Sequence, residues 1–199
     1  MNTKLTKKLV GYGVSLLSLL CLQCTPDAAP KPDYDQIAAQ VMADLKPQLI
    51  GTWKLRQVRV SPNGLNRLNR LNLTKDSTFQ DLTILTIVPA AEPRMTPTDP
   101  KRGEYDGIIQ YKNKTYPIQF DMWPGTRVYS PTHQGPQAFL LFSYRFPDGL
   151  RYPEAEETFL EKLGLINENF SLETTAGQPT MKWVGLSREI QQIDFVKQR

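Results

Sequence analysis

From Gly51 onward the chain is a succession of short stretches that alternate apolar with polar residues or are rich in β-branched ones. Clusters of Pro, Gly, Asn and Asp separate them. "TWKLRQVRV", "FQDLTILTIV", "YDGIIQYKNKTYPIQFDMW", "QAFLLFSYRF", "NFSLETT", "TMKWVGLS" and "IQQIDFVKQ" follow one another in this way. Alternation with period two marks strands with one face buried. Short turns between successive strands make neighbours antiparallel, because parallel neighbours need long crossovers. The 16 prolines and 12 glycines are the punctuation such a chain needs. The expected fold is therefore mainly β. It has eight or nine mostly antiparallel strands, with one or two short helices. Sequential pairing favours an up-and-down barrel or a strongly curled sheet, of which the barrel is the expectation.

Details sharpen this outline. In "TWKLRQVRV" the apolar phase slips near Gln57: Trp53 and Leu55 share one parity, Val58 and Val60 the other. That slip predicts a β-bulge. "LNRLNRLNL" repeats every three residues, which suits neither helix nor strand, and a strand is expected only at Leu71 and Leu73. Four prolines between Pro89 and Pro100 make a long loop reaching about Glu104. A hairpin is expected to turn at Lys112–Asn113–Lys114, and a short strand at Arg127 to Tyr129. Ile37, Val41, Met42 and Leu45 fall at helical spacing and predict a helix from Asp35 to Lys46, stopped by Pro47. "YPEAEETFLEKLGL" predicts a second helix. Pro153 suits its first position, acids its first turn and Gly164 its end; Ala155, Phe159, Leu160 and Leu163 form its buried face.

The N-terminus reads differently. Lys4, Lys7 and Lys8 precede an uncharged run from Leu9 to Leu22. That run is short for a permanent membrane helix but suits an export signal. Cys21 and Cys24, the chain's 2 cysteines, end it, and the polar tether "TPDAAPKPD" follows. An apolar run that stops at a cysteine before such a tether resembles a bacterial lipoprotein signal. The resemblance implies that Cys24 carries a lipid anchor, with Cys21 the alternative. Residues 1–23 then form the signal, 24–34 a flexible tether and 35–199 the barrel domain with its leading helix. It further implies a membrane-anchored protein of the bacterial cell envelope, on the periplasmic or surface side. The same cysteines spell C-x-x-C, but no βαβ pattern or second ligand pair supports a redox or metal role. The formal charge of +4, from 24 basic and 20 acidic residues, falls to +1 without the three signal lysines. The basic balance is thus largely an export feature and gives no reason to expect nucleic-acid binding.

"LIGTWKLRQVRV" resembles the first strand of lipocalins and of lipocalin-like domains in bacterial lipoproteins, with Gly51, one residue, then Trp53 after a short lead-in. "LNLTKDSTF" resembles the turn into their second strand. The resemblance is specific over about 30 residues and architectural beyond them. It implies that Trp53 closes one end of a barrel and that a basic residue from the last strands packs over its indole, an arrangement favoured by attraction between a cation and an aromatic face. Arg188, after "WVGLS", is expected in that role, with Lys197 the alternative. The long proline-rich loop and the helix before the last strands depart from the family pattern.

The sequence offers little for catalysis. His133 is the single histidine and sits in the Pro/Gly-flanked loop "SPTHQGP". No Gly-x-Ser-x-Gly, P-loop or dinucleotide glycine fingerprint occurs, and no Cys/His ligand spacing. No enzyme activity, cofactor or metal is therefore expected. Glu154, Glu156, Glu157 and Glu161 read as the solvated face of a helix rather than a pair of catalytic carboxylates. Arg56, Arg59, Arg67 and Arg70 would gather if the first two strands pair, to receive an anionic group or simply to face water. Aromatic residues are dense from Tyr111 to Tyr144. Tyr111, Phe120, Trp123, Phe139, Phe142 and Tyr144 are the candidate lining of a ligand pocket, or else a packed core. Two functions follow: an anchored lipoprotein whose barrel binds a small hydrophobic or amphipathic ligand, or a non-enzymatic envelope module whose filled barrel docks on another envelope protein.

Overall fold

Helix α1 spans Tyr34–Leu49 and leads directly into the sheet. It was expected to end at Lys46, yet Pro47 lies inside it. A helical proline costs about 3 kcal/mol through a lost hydrogen bond and a clash with the carbonyl four residues earlier. Here it falls in the last turn, where the Gln48 side-chain amide donates to the Asp44 carbonyl at 2.8 Å. Leu45 and Leu49 are buried on either side of it. Burying two leucines contributes about 1.5–3 kcal/mol each, enough to offset the proline. The structure is a computed structural model and describes residues 31–62, 70–91, 103–144, 153–166, 168–175 and 177–198, with Tyr144 described by its backbone alone. The expected signal, Cys21, Cys24 and most of the tether lie outside the described residues, as does Arg67.

Strand β1, Gly51–Val60, organises the sheet. It pairs along its length with the last strand, β9 (Ile190–Lys197), and the register between them skips from Leu55 to Gln57. Arg56 is the extra residue, so the expected bulge is present, and it brings Trp53, Leu55, Val58 and Val60 all into the core. On its other edge β1 meets β2 (Ser77–Gln80) with its last four residues and β3 (Ile84–Pro89) with its first four. The single strand expected from "FQDLTILTIV" is thus broken in two. The break lies opposite the bulge: Asp81 takes a left-handed φ of 49° and its N–H donates to the Arg56 carbonyl at 3.0 Å. No strand forms at Leu71 and Leu73. Asn72 between them has φ 54°, a value asparagine tolerates and strands do not use, and both leucines pack half-buried against the core.

The remaining strands follow in order: β4 (Tyr105–Tyr111), β5 (Lys114–Pro124), β6 (Ala138–Tyr144), β7 (Asn169–Thr174) and β8 (Thr180–Gly185). Each pairs antiparallel with the next, and β9 returns to β1. The result is a closed eight-stranded up-and-down barrel with β2 as one extra strand. The β4–β5 hairpin turns at Lys112 and Asn113 as expected. At Thr126–Val128 the chain makes a 3-10 turn instead of the expected strand, with Gly125 and Arg127 donating to the Gln137 and Pro136 carbonyls. Helix α2, Ala155–Leu163, lies between β6 and β7. Glu154 rather than Pro153 flanks its start, and Gly164, at φ 91°, ends it in the left-handed conformation that favours glycine. Ala155 is exposed and Glu157 is buried, so its inner face is Glu157, Leu160 and Leu163, with Phe159 beside them.

Candidate functional site

Both mouths of the barrel are closed by a helix. At the first mouth, where β1 begins, α1 supplies Leu45 and Leu49 to the core, and the Trp53 indole N–H donates to the Leu49 carbonyl at 2.8 Å. The Lys197 ammonium lies 5.1 Å from the centre of the Trp53 ring. Lys197 and Trp53 are directly opposite each other in the β1–β9 register. Gly51 makes room for this contact: a Cβ there would come within 2.7 Å of Lys197 Cε, at a φ of 135° that side chains rarely adopt. Gly51 and Trp53 therefore act together with Lys197. Arg188, the expected partner, is placed elsewhere because it precedes β9, at the mouth where that strand starts. Its Nη1 donates to the Glu161 carbonyl at 2.8 Å and its Nε lies 3.6 Å from Glu168 Oε2.

The second mouth is closed by α2. Phe159 packs on Phe79 and Tyr111, with ring centres 5.9 and 5.6 Å away. Lys112 and Lys114 of the β4–β5 hairpin hold the start of the helix: Lys112 lies 3.2 Å from Glu156, and Lys114 lies 2.7 Å from Glu154 and 3.3 Å from Glu156. The Glu156 carboxyl is lowered to about 2 by its own backbone N–H, then by Lys112 and Lys114. These pairs are exposed, so they orient the helix more than they stabilise it. At its other end Arg188 meets Glu168, which is fully buried and also accepts hydrogen bonds from the Asn169 N–H and the Ser187 hydroxyl.

Between the mouths the interior is occupied by aromatic rings. Tyr105 stacks on Phe120 at 5.1 Å, and Phe120 on Phe142 at 4.7 Å. Phe142 then meets Phe170 and Trp183 edge-on at 5.4 and 5.3 Å, and Trp183 packs on Phe195 at 4.4 Å. Barrels of eight strands are just wide enough for side chains to fill. Burial pushes the Tyr105 hydroxyl, with help from Glu104, up to about 12, and raises that of Tyr116. The Tyr116 hydroxyl and Trp183 indole nitrogen are buried without a hydrogen-bond partner.

The six residues expected to line a pocket divide between two faces. Phe120 and Phe142 point inward and belong to the stack. Tyr111 packs under α2. Trp123 and Phe139 oppose each other across β5 and β6 on the outer wall, where Trp123 is 53% exposed. The Tyr144 backbone pairs with Ile118. Parity carried this division in advance: Phe120 and Trp123 are three apart, as are Phe139 and Phe142, and residues three apart on a regular strand face opposite sides.

Among the described residues, Arg56, Arg59 and Arg70 each meet a different acidic residue. Arg56 lies 3.5 Å from Asp81 and Arg59 3.1 Å from Asp194, while the Arg70 backbone N–H donates to Glu189. His133 is exposed in its loop. Among the described residues no cluster of His, Cys, Asp or Glu is arranged to hold a metal ion. A depression of about 700 Å³ lies over β7, β8 and β9 at the first mouth, with Arg56, Arg127, Lys182, Glu173 and Asp194 around it and Phe195 at its base. Lys182 pairs with Glu173 there. No protein-family model, curated protein or solved structure gives a significant match to this chain.

Proposed function

We propose that this chain is a membrane-anchored lipoprotein of the bacterial cell envelope whose barrel works as a non-enzymatic interaction module rather than as a container. The observation that carries this reading is the ring column Tyr105–Phe120–Phe142–Trp183–Phe195, which occupies the space a lipocalin-like barrel would give to a ligand. Close-packed interiors leave few voids larger than a water molecule. Helices over both mouths leave the outer wall and the rims as the surfaces that meet partners. The anchor at Cys24, the envelope location and the kinship with lipocalin-like lipoproteins rest on the signal and on Gly51 and Trp53, and belong to the same proposal.

A second reading keeps a small amphipathic ligand, and the 700 Å³ depression favours it. Its volume is of the size that small-molecule sites have, and it joins an apolar base to charged walls. Native mass spectrometry of the protein purified from its own membrane separates the two. The module reading expects the mass of the lipidated chain alone, and a co-purifying small molecule would favour the second. The anchor has its own check: Cys24→Ser is expected to leave the membrane fraction and lose palmitate labelling, and retention of both would contradict it.

A further inference from the structure

Seven large hydrophobic side chains are exposed among the described residues, and their distribution is uneven. Five of them ring the first mouth. Val88, Trp123 and Val196 are each next to last in β3, β5 and β9, three of the four barrel strands that end there. Tyr129 follows the 3-10 turn after β5, and Tyr34 opens α1, with the two rings 5.8 Å apart. The other two, Ile108 and Leu141, lie mid-strand on the wall. At the second mouth the described β4–β5 turn and the start of α2 instead carry Lys112, Lys114, Glu154 and Glu156, tied into ion pairs. Among the described residues most of the exposed large apolar side chains are thus at the first rim, which also carries the Lys182–Glu173 pair on the wall beside Val196.

The apolar rim is also where the chain enters the fold. Tyr34 is both a rim residue and the first residue of α1, and the segment before it leads back to Cys24. Ten residues of fully extended chain reach at most about 35 Å. An anchor at Cys24 therefore joins the domain at this rim and keeps the rim within about 35 Å of the bilayer. Tyr and Trp are the side chains that favour the membrane–water boundary, since their rings are apolar and their N–H and O–H groups stay hydrated.

From this placement we propose that the rim of Tyr34, Val88, Trp123, Tyr129 and Val196 seats the barrel on the lipid surface, so that the anchored domain stands on the membrane with its α2 mouth outward. The inference rests on the anchor of the proposed function. It specifies the occupant of the rim as a bilayer and leaves the outer wall and the α2 mouth to protein partners.

The chain carries its own reporter. Of its 3 tryptophans, Trp53 and Trp183 are 2% and 0% exposed, and Trp123 is 53% exposed. The test places the full lipidated chain on vesicles of phosphatidylcholine and phosphatidylglycerol, with and without bromine on the acyl chains near the headgroup. The expected result is a loss of tryptophan emission on the brominated vesicles that disappears in Trp123→Phe, a substitution on the exposed wall. Equal emission on both kinds of vesicle, from a chain that floats with them, would overturn the seating while leaving the anchor intact. A chain that fails to float would remove the anchor and the seating together.

Discussion

Lys197 holds its ammonium 5.1 Å from the centre of the Trp53 indole, passing over a position where Gly51 has no side chain. The contact joins the first and last strands at the point where the barrel closes. It accounts for the Gly-x-Trp pattern physically: glycine to let the lysine stem pass, tryptophan to receive the cation.

Lys197→Met keeps the stem over the ring and removes the charge. A cation–π contact at a partly exposed site contributes about 0.5–1 kcal/mol. A fall in Tm of about 2–3 °C is expected by calorimetry. Gly51→Ala should cost more, about 1–3 kcal/mol, because it strains a φ of 135° and pushes Lys197 off the indole. Combining the two should cost less than their sum, since both disturb one contact.

Phe142→Ala and Trp123→Ala should differ sharply although both residues are aromatic and lie on the neighbouring strands β5 and β6. Phe142 lies in the stacked interior, and truncation there costs about 3–5 kcal/mol. Trp123 is half exposed on the outer wall, and its truncation should change stability by about 0.5 kcal/mol or less. Urea unfolding of the two variants measures the contrast, and similar losses would contradict the assignment of faces.

Arg188→Met leaves the Glu168 carboxylate buried without its cation. Removing one partner of a buried pair costs about 3 kcal/mol or more. Replacing Glu168 by Gln in the same chain should recover part of that loss, read as a rise in the denaturant midpoint over the single variant.

Glu156 sets an acid limit on the α2 clasp. Its folded-state value, about 2, lies below the ordinary 4.5. Its contribution to stability is therefore complete above pH 4.5 and is lost as the pH falls from there through about 2. A carboxyl NMR titration should give a midpoint near the lower value. In the double variant Lys112→Gln, Lys114→Gln the midpoint should rise only partway, because the residue's own backbone N–H is the larger cause.

Much of the barrel was legible in the sequence because period-two alternation and turn residues are local signals. The bulge in β1 was legible for the same reason: the apolar phase changes at Gln57 within a few residues. What was not legible depends on register between distant strands. Lys197 covers Trp53 because the two are direct partners across β1 and β9, a relation that separation along the chain hides. The break at Asp81 answers a bulge in another strand, and Pro47 stays helical because Leu45 and Leu49 find a core beyond the helix itself. Parity along β5 and β6 is a local signal too, and it separates Phe120 from Trp123 and Phe142 from Phe139.

The central claim is that the barrel is filled by its own rings. Titration of the purified Trp123→Phe chain with a fluorescent fatty acid tests it most directly, because the buried Trp53 and Trp183 are then the remaining energy donors. The filled barrel predicts no saturable uptake and unchanged tryptophan emission. Saturable one-to-one uptake with energy transfer from these buried tryptophans would contradict it.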